Sequence, residues 1–151
     1  MSITLGNRSL DRLEGCHPDI TKVVKRAAQN ATFKDDFTVL EGVRSKEQMC
    51  VNYGKGRTVA ECLAKGVPAK YSEPSKAKVT WLANPFNSMH RVHDDGFSHA
   101  VDLAPYPIDW QDFGRFRRLM DLIKHAAAEC GVPIVCGGDW AKPDLPHYEL
   151  R

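Results

Sequence analysis

At 151 residues, 42% hydrophobic and 26% charged, the chain can bury one core of ordinary size and is expected to form a single domain over 1–151. Its net charge of +2, from 21 Lys and Arg against 19 Asp and Glu, sets up no field that would gather nucleic acid, and no apolar run is long enough to cross a bilayer. Five cysteines without Cys-x-x-Cys spacing read as reduced interior thiols, not as a disulfide framework.

The first clear element in chain order is a helix over Asp19–Asn30. Ile20, Val23, Val24 and Ala27 recur at helical spacing, and Pro18 stands near the start, where a missing amide proton does no harm. Asp36–Val43 is short and β-rich, with Phe37, Val39 and Leu40 before Gly42, and predicts a strand. Ser45 then offers an N-cap, with Gln48 three residues on to close a capping box, so Arg44 falls at a strand-to-helix junction. Lys65–Lys78, with Gly66 and Pro68, reads as a surface loop. Short strands are expected at Val79–Ala83 and His99–Leu103. Pro107–Cys130 predicts the longest helix, its stripe of Trp110, Phe113, Phe116, Met120, Ile123, Ala127 and Cys130 facing the core until Gly131 ends it. Val132–Cys136 and His147–Leu150 are the last strands, and Gly137-Gly138-Asp139 is a turn between them. The elements sum to an α+β fold, a small antiparallel sheet flanked by helices.

Three short segments carry chemistry: Ser88-Met89-His90, Ser98-His99-Ala100-Val101-Asp102 and Asp144-Leu145-Pro146-His147. Two imidazoles and one carboxylate are what a hydrolytic zinc ion takes from protein while leaving a coordination position for water. The pattern therefore points to a zinc hydrolase. Asp144, three residues before His147, is then free to serve as general base. A strand through 99–103 would hold Asp102 rigidly, as a ligand requires. His17, at a helix entry, and His125, between Asp121 and Glu129 on a helix, read as ordinary surface residues. Trp140 and Tyr148 lie near the candidate residues, where core packing is at least as well supported as substrate contact, and Asp139 is compatible either with holding a ligand histidine or with capping a turn.

The order Ser-x-His, Ala-x-Asp, Asp-x-x-His resembles the zinc peptidases of the VanY and D-Ala-D-Ala dipeptidase group, which share a fold with the hedgehog signalling domain. The likeness is greatest to phage endolysins that cut the L-alanyl-D-glutamate bond of peptidoglycan stem peptides. It extends over nearly the whole chain, through His17-Pro18, Gly42-Val43-Arg44, Asp102-Leu103-Ala104-Pro105-Tyr106, Gly137-Gly138-Asp139-Trp140 and Pro146-His147-Tyr148-Glu149-Leu150. The resemblance implies a zinc ion held by His90, Asp102 and His147, with Asp144 as the catalytic acid/base. It further implies Arg44 as the charge that stabilises the developing oxyanion. The implied partner is the peptidoglycan stem peptide, met by a monomer with no membrane anchor. An N-terminus without an apolar signal core fits an endolysin held in host cytoplasm until released to the wall, and a single domain fits a Gram-negative host.

One departure concerns spacing. The family separates its first histidine from the aspartate by about six residues, whereas here Arg91–Ser98 lengthens the interval and Ser98 replaces the usual glycine. His93 or His99 is thus an alternative to His90, although His99 lies an odd number of positions before Asp102 and on a regular strand would face the other way. The rival functions are a D,D-carboxypeptidase or dipeptidase on the same scaffold and a zinc-bearing binding module without turnover.

Overall fold

Alternation of apolar and polar side chains becomes a two-faced sheet in the computed structural model, which describes residues 2–151. The chain divides into two compact units, Met1–Val43 with Val92–Arg151, and Arg44–Arg91.

The first unit holds all four strands: β1 (Phe37–Glu41), β2 (Ala100–Pro105), β3 (Ile134–Cys136) and β4 (His147–Leu150), in the order β1-β2-β4-β3 with every neighbour antiparallel. Cross-strand pairs sort the side chains by face. Val39 opposite Leu103, Val101 opposite Tyr148 and Tyr148 opposite Cys136 line the core face. Helices α1 (Asn7–Leu13), α2 (Pro18–Asn30) and α5 (Phe113–Cys130) belong to the same unit. Ile20, Val23, Val24 and Ala27 of α2 and Leu119, Met120, Ile123 and Ala126 of α5 close the core over these strands. Outside it, Arg26 and Asn30 of α2 grip Glu129 of α5.

The opposite face of the sheet carries Asp102 opposite His147 and Ala100 opposite Glu149. A bulge between Val39 and Glu41 shifts the register so that Glu41 also pairs with Asp102. An extra residue in one strand re-aims the side chain that follows it.

Strand and helix bounds depart from the sequence reading in a few places, each with a local cause. α1 was not foreseen because polar bonds hold it, not apolar periodicity. Buried Ser9 accepts the Val39 amide at 3.0 Å, and Arg12 donates to the Val39 carbonyl at 2.9 Å, so α1 covers the edge strand β1. The long helix starts at Phe113, not Pro107, because the Asp112 side chain caps it by accepting the Arg115 amide. Arg115 in turn donates to the carbonyls of Tyr106 and Pro107, which stay outside the helix. Trp110 and Phe113 are consequently half exposed, while Phe116, Met120, Ile123 and Ala127 are buried.

The second unit contains α3 (Lys46–Gly54) and α4 (Val59–Ala64) around a small core of Cys50, Tyr53, Cys62 and Val67. Ser45 caps α3 as expected, but Gln48 turns its side chain to Asn52 and leaves the box half made. The reciprocal box stands instead at Thr58 and Glu61, at the start of α4. The expected strand at Val79–Ala83 is irregular backbone. Buried Arg57, lying over the Tyr53 ring, donates to the Thr80 carbonyl, and that side-chain bond replaces a ladder.

Candidate active site

Antiparallel pairing of β2 and β4 sets Asp102 against His147, and the carboxylate Oδ1 lies 3.3 Å from the ring Nδ1. The other ring nitrogen, Nε2, lies 2.7 Å from Oε1 of Glu149. His147 is 8% exposed, so its imidazole sits in a buried position between two carboxylates. Burial alone would lower its pKa; hydrogen bonds to Asp102 and Glu149, with their negative charges, outweigh burial and raise it to about 9. The ring of Trp140 packs on the same imidazole at 5.2 Å between centroids.

A turn precedes β4. The His147 amide donates to the Asp144 carbonyl at 3.1 Å, and the Asp144 amide donates to the Gly137 carbonyl at 2.9 Å. These bonds present Asp144 at the exposed surface beside a buried histidine. Gly137 is required for the approach: a Cβ there would run into the Asp144 carbonyl oxygen and the Cβ of His147.

In the second unit, Arg44 and His90 are joined across the unit's two ends. The Arg44 amide donates to the His90 carbonyl at 2.9 Å. Ser88 reinforces the tie, its Oγ accepting the His90 amide at 3.1 Å and the Arg44 Nη1 at 3.3 Å. Ser88 and His90 are both buried, at 5% and 2% exposure, and Arg44 is half-buried. This is the physical content of the Ser-x-His pattern. The serine fixes the backbone of the histidine and the guanidinium of the arginine with one hydroxyl.

The other histidines have separate roles. Val92 and Ser98 pair as an antiparallel bridge, and the His93 amide donates to the Phe97 carbonyl, so the Arg91–Ser98 insert is a closed hairpin. In it His93 and His99 stack at 3.7 Å, and His99 Nε2 lies 2.7 Å from Asp95. His17 caps α2, its Nδ1 accepting the Asp19 amide at 3.0 Å. His125 is exposed beside Glu129. Asp139 is exposed and pairs with Lys124 of α5 at 2.8 Å, a surface ion pair, and Tyr148 is in the core. All five cysteines are free thiols, and burial pushes those of Cys16 and Cys136 up to about 11, the range of inert interior thiols.

The imidazoles of His90 and His147 and the carboxylate of Asp102 are donor types that could bind a metal ion. Compared with known families, the sequence matches the phage L-alanyl-D-glutamate peptidases over residues 1–70 and 69–150. The chain belongs to the phage L-alanyl-D-glutamate peptidase family. As a phage L-alanyl-D-glutamate peptidase it is an enzyme, a hydrolase of peptidoglycan of the endolysin kind. A search of the curated proteins returns no match. Among solved structures, the Serratia marcescens L-Ala D-Glu endopeptidase ChiX is similar, with 25% identity and a TM-score of 0.65 over 99% of this chain and 91% of that one. The α+β fold expected from sequence is thus the fold of this peptidase family. No helix among the described residues is long and apolar enough to cross a membrane.

Ser88 and Glu149 have parts in this geometry that the ligand pattern by itself does not mark. Both signals were present. Ser88 stands two residues before His90, where a hydroxyl can accept the backbone amide. Glu149 stands two residues after His147, on the same face of a strand.

Proposed function

We propose that this peptidase is a zinc enzyme in which His90, Asp102 and His147 hold the ion, Asp144 is the acid/base and Arg44 stabilises the oxyanion. The observation that carries the reading is the buried His147 imidazole, whose Nδ1 faces Asp102 at 3.3 Å while an exposed carboxylate stands three residues earlier. The donor chemistry fits, since two imidazoles and one carboxylate complete the protein's share of a catalytic zinc site. His90 is favoured over His93 and His99, because His99 is engaged by Asp95 and stacked on His93. Chain connection supports the choice: His90 is two residues from Val92, which pairs with Ser98 at the entry to β2.

Zinc, when bound, polarises the scissile carbonyl and acidifies a water. The chain's own residues supply the rest. The Asp144 carboxylate accepts a proton from the attacking water and returns it to the leaving amine of D-Glu. The Arg44 guanidinium, permanently charged and held by Ser88, offsets the negative charge that develops on the carbonyl oxygen. Trp140, 40% exposed against His147, is placed to contact the stem peptide. We further read residues 1–151 as one monomeric catalytic domain that waits in host cytoplasm and acts once it reaches the wall.

The test joins metal and product. Freshly purified protein should carry about one zinc per chain. Digestion of Gram-negative sacculi should release stem peptides with new D-Glu amino termini and leave L-Ala on the muramic acid. Active protein without zinc would refute the metal assignment. New D-Ala carboxyl termini as the only products would instead establish the carboxypeptidase alternative.

A further inference from the structure

His147 has two ring nitrogens and a carboxylate at each. Which nitrogen is left for a metal is decided by what the other one does. The contact at Nε2 is the shorter, 2.7 Å to Glu149 against 3.3 Å from Nδ1 to Asp102. A length of 2.7 Å is that of a charge-assisted hydrogen bond, and 3.3 Å lies beyond it. The strand enforces the arrangement. His147 and Glu149 are two apart on β4 and share a face, as do their partners on β2, Asp102 and Ala100. Ala100 and Val135, the cross-strand neighbours of Glu149, offer no charge that would draw its carboxylate away. Glu149 is itself largely covered, its side chain 18% exposed, so water competes weakly for the bond.

We infer that Glu149 is a positioning residue: it accepts a hydrogen bond from Nε2–H of His147 and so fixes the tautomer that turns the Nδ1 lone pair toward Asp102 as a metal ligand. Glu149 touches neither substrate nor the reacting atoms in this arrangement. It acts through the ring, holding its orientation and making Nδ1 a stronger donor. The inference rests on His147 being a zinc ligand, as proposed above.

The experiment measures zinc Kd by chelator competition on the full chain carrying Glu149→Ala, Glu149→Gln or His147→Ala, beside long-range proton–nitrogen spectra of the zinc-loaded, 15N-histidine-labelled protein. Loss of the carboxylate in Glu149→Ala should weaken zinc binding about 10- to 100-fold. Glu149→Gln keeps the shape and an oxygen that can accept from Nε2–H but loses the charge, so it should recover only part of that loss, whereas a role in packing alone would let this isostere recover all of it. The wild-type spectrum should show His147 coordinating through Nδ1 with a protonated Nε2, and Glu149→Ala should blur that signature. A zinc Kd within twofold of wild type in Glu149→Ala, or coordination through Nε2 in the wild type, overturns the inference while leaving the ligand set intact. Unchanged zinc affinity in His147→Ala overturns the zinc reading itself and the inference with it.

Discussion

Arg44 and His90 are bonded backbone to backbone, amide to carbonyl at 2.9 Å, so the proposed oxyanion charge and a proposed ligand cannot shift independently. The Ser88 hydroxyl is the second tie between them. Ser88→Ala would remove the hydroxyl that accepts from the buried His90 amide and from the Arg44 guanidinium. The expected cost is about 1–3 kcal/mol of stability, with turnover reduced as Arg44 loses its aim. Urea denaturation and kcat on one preparation check this. A variant as stable and as active as wild type would show that the backbone bond alone suffices.

Asp144→Asn preserves shape but cannot accept a proton, so kcat should fall by about two to four orders of magnitude. Zinc content and melting temperature should hold, since the side chain is exposed and outside the ligand set. Arg44→Ala should likewise retain zinc and lose turnover. Zinc loss in Asp144→Asn would make this carboxylate a ligand, and the base would then have to be sought elsewhere.

Stability of the metal-free chain should depend on pH through His147. Its folded pKa is raised to about 9 by hydrogen bonds to Asp102 and Glu149 that outweigh burial. The protonated ring therefore stabilises the fold fully below its unfolded pKa of about 6.5, and that contribution, about 3 kcal/mol, disappears as pH rises toward 9. Zinc affinity should move the opposite way, strengthening over the same interval because the metal displaces the proton. Denaturation midpoints of chelator-treated protein between pH 6 and pH 9.5 test the first statement. A flat profile would contradict it.

Gly137→Ala should damage the site without touching a proposed catalytic side chain. The added methyl meets the Asp144 carbonyl oxygen and must push the turn away from β4. Overpacking of this kind costs about 1–3 kcal/mol. Loss of activity larger than loss of fold is expected, since the displaced residues are Asp144 and His147. Equal activity at full stability would mean that the turn relaxes freely.

The Tyr148 hydroxyl is buried without a hydrogen-bond partner, and the loss of solvation raises its pKa. Tyr148→Phe removes an unsatisfied polar atom at little change in volume, so it should be neutral or stabilising by about 1 kcal/mol. A melting temperature clearly below wild type would reveal a bond that the hydroxyl makes in solution.

Much of the fold was readable because its core obeys simple periods. Val101, Leu103 and Tyr148 announce strands, and Ile20, Val23, Val24 and Ala27 announce α2. The same alternation that buries Tyr148 sends His147 and Glu149 to the other face, so the β4 half of the site was legible with it. What failed to show is held by polar side chains acting on distant backbone: Ser9 and Arg12 on Val39, Arg57 on Thr80, Arg115 on Tyr106 and Pro107. Such bonds leave no periodicity. The shared role of Ser88 was hidden for the same reason, since its partner Arg44 lies 44 positions away.

The hairpin at 92–98 begins and ends on one rung. Val92 faces Ser98, Gly96 reverses the chain at φ 86°, and Ser98 is itself bonded to Gly15 and His17. A detour that returns to its point of departure adds residues without adding distance. A hairpin of different length between residues 93 and 97 would therefore leave the path from Val92 into β2 where it is. The number of residues between Val92 and Ser98 sets the length of that detour and not the distance between its two ends.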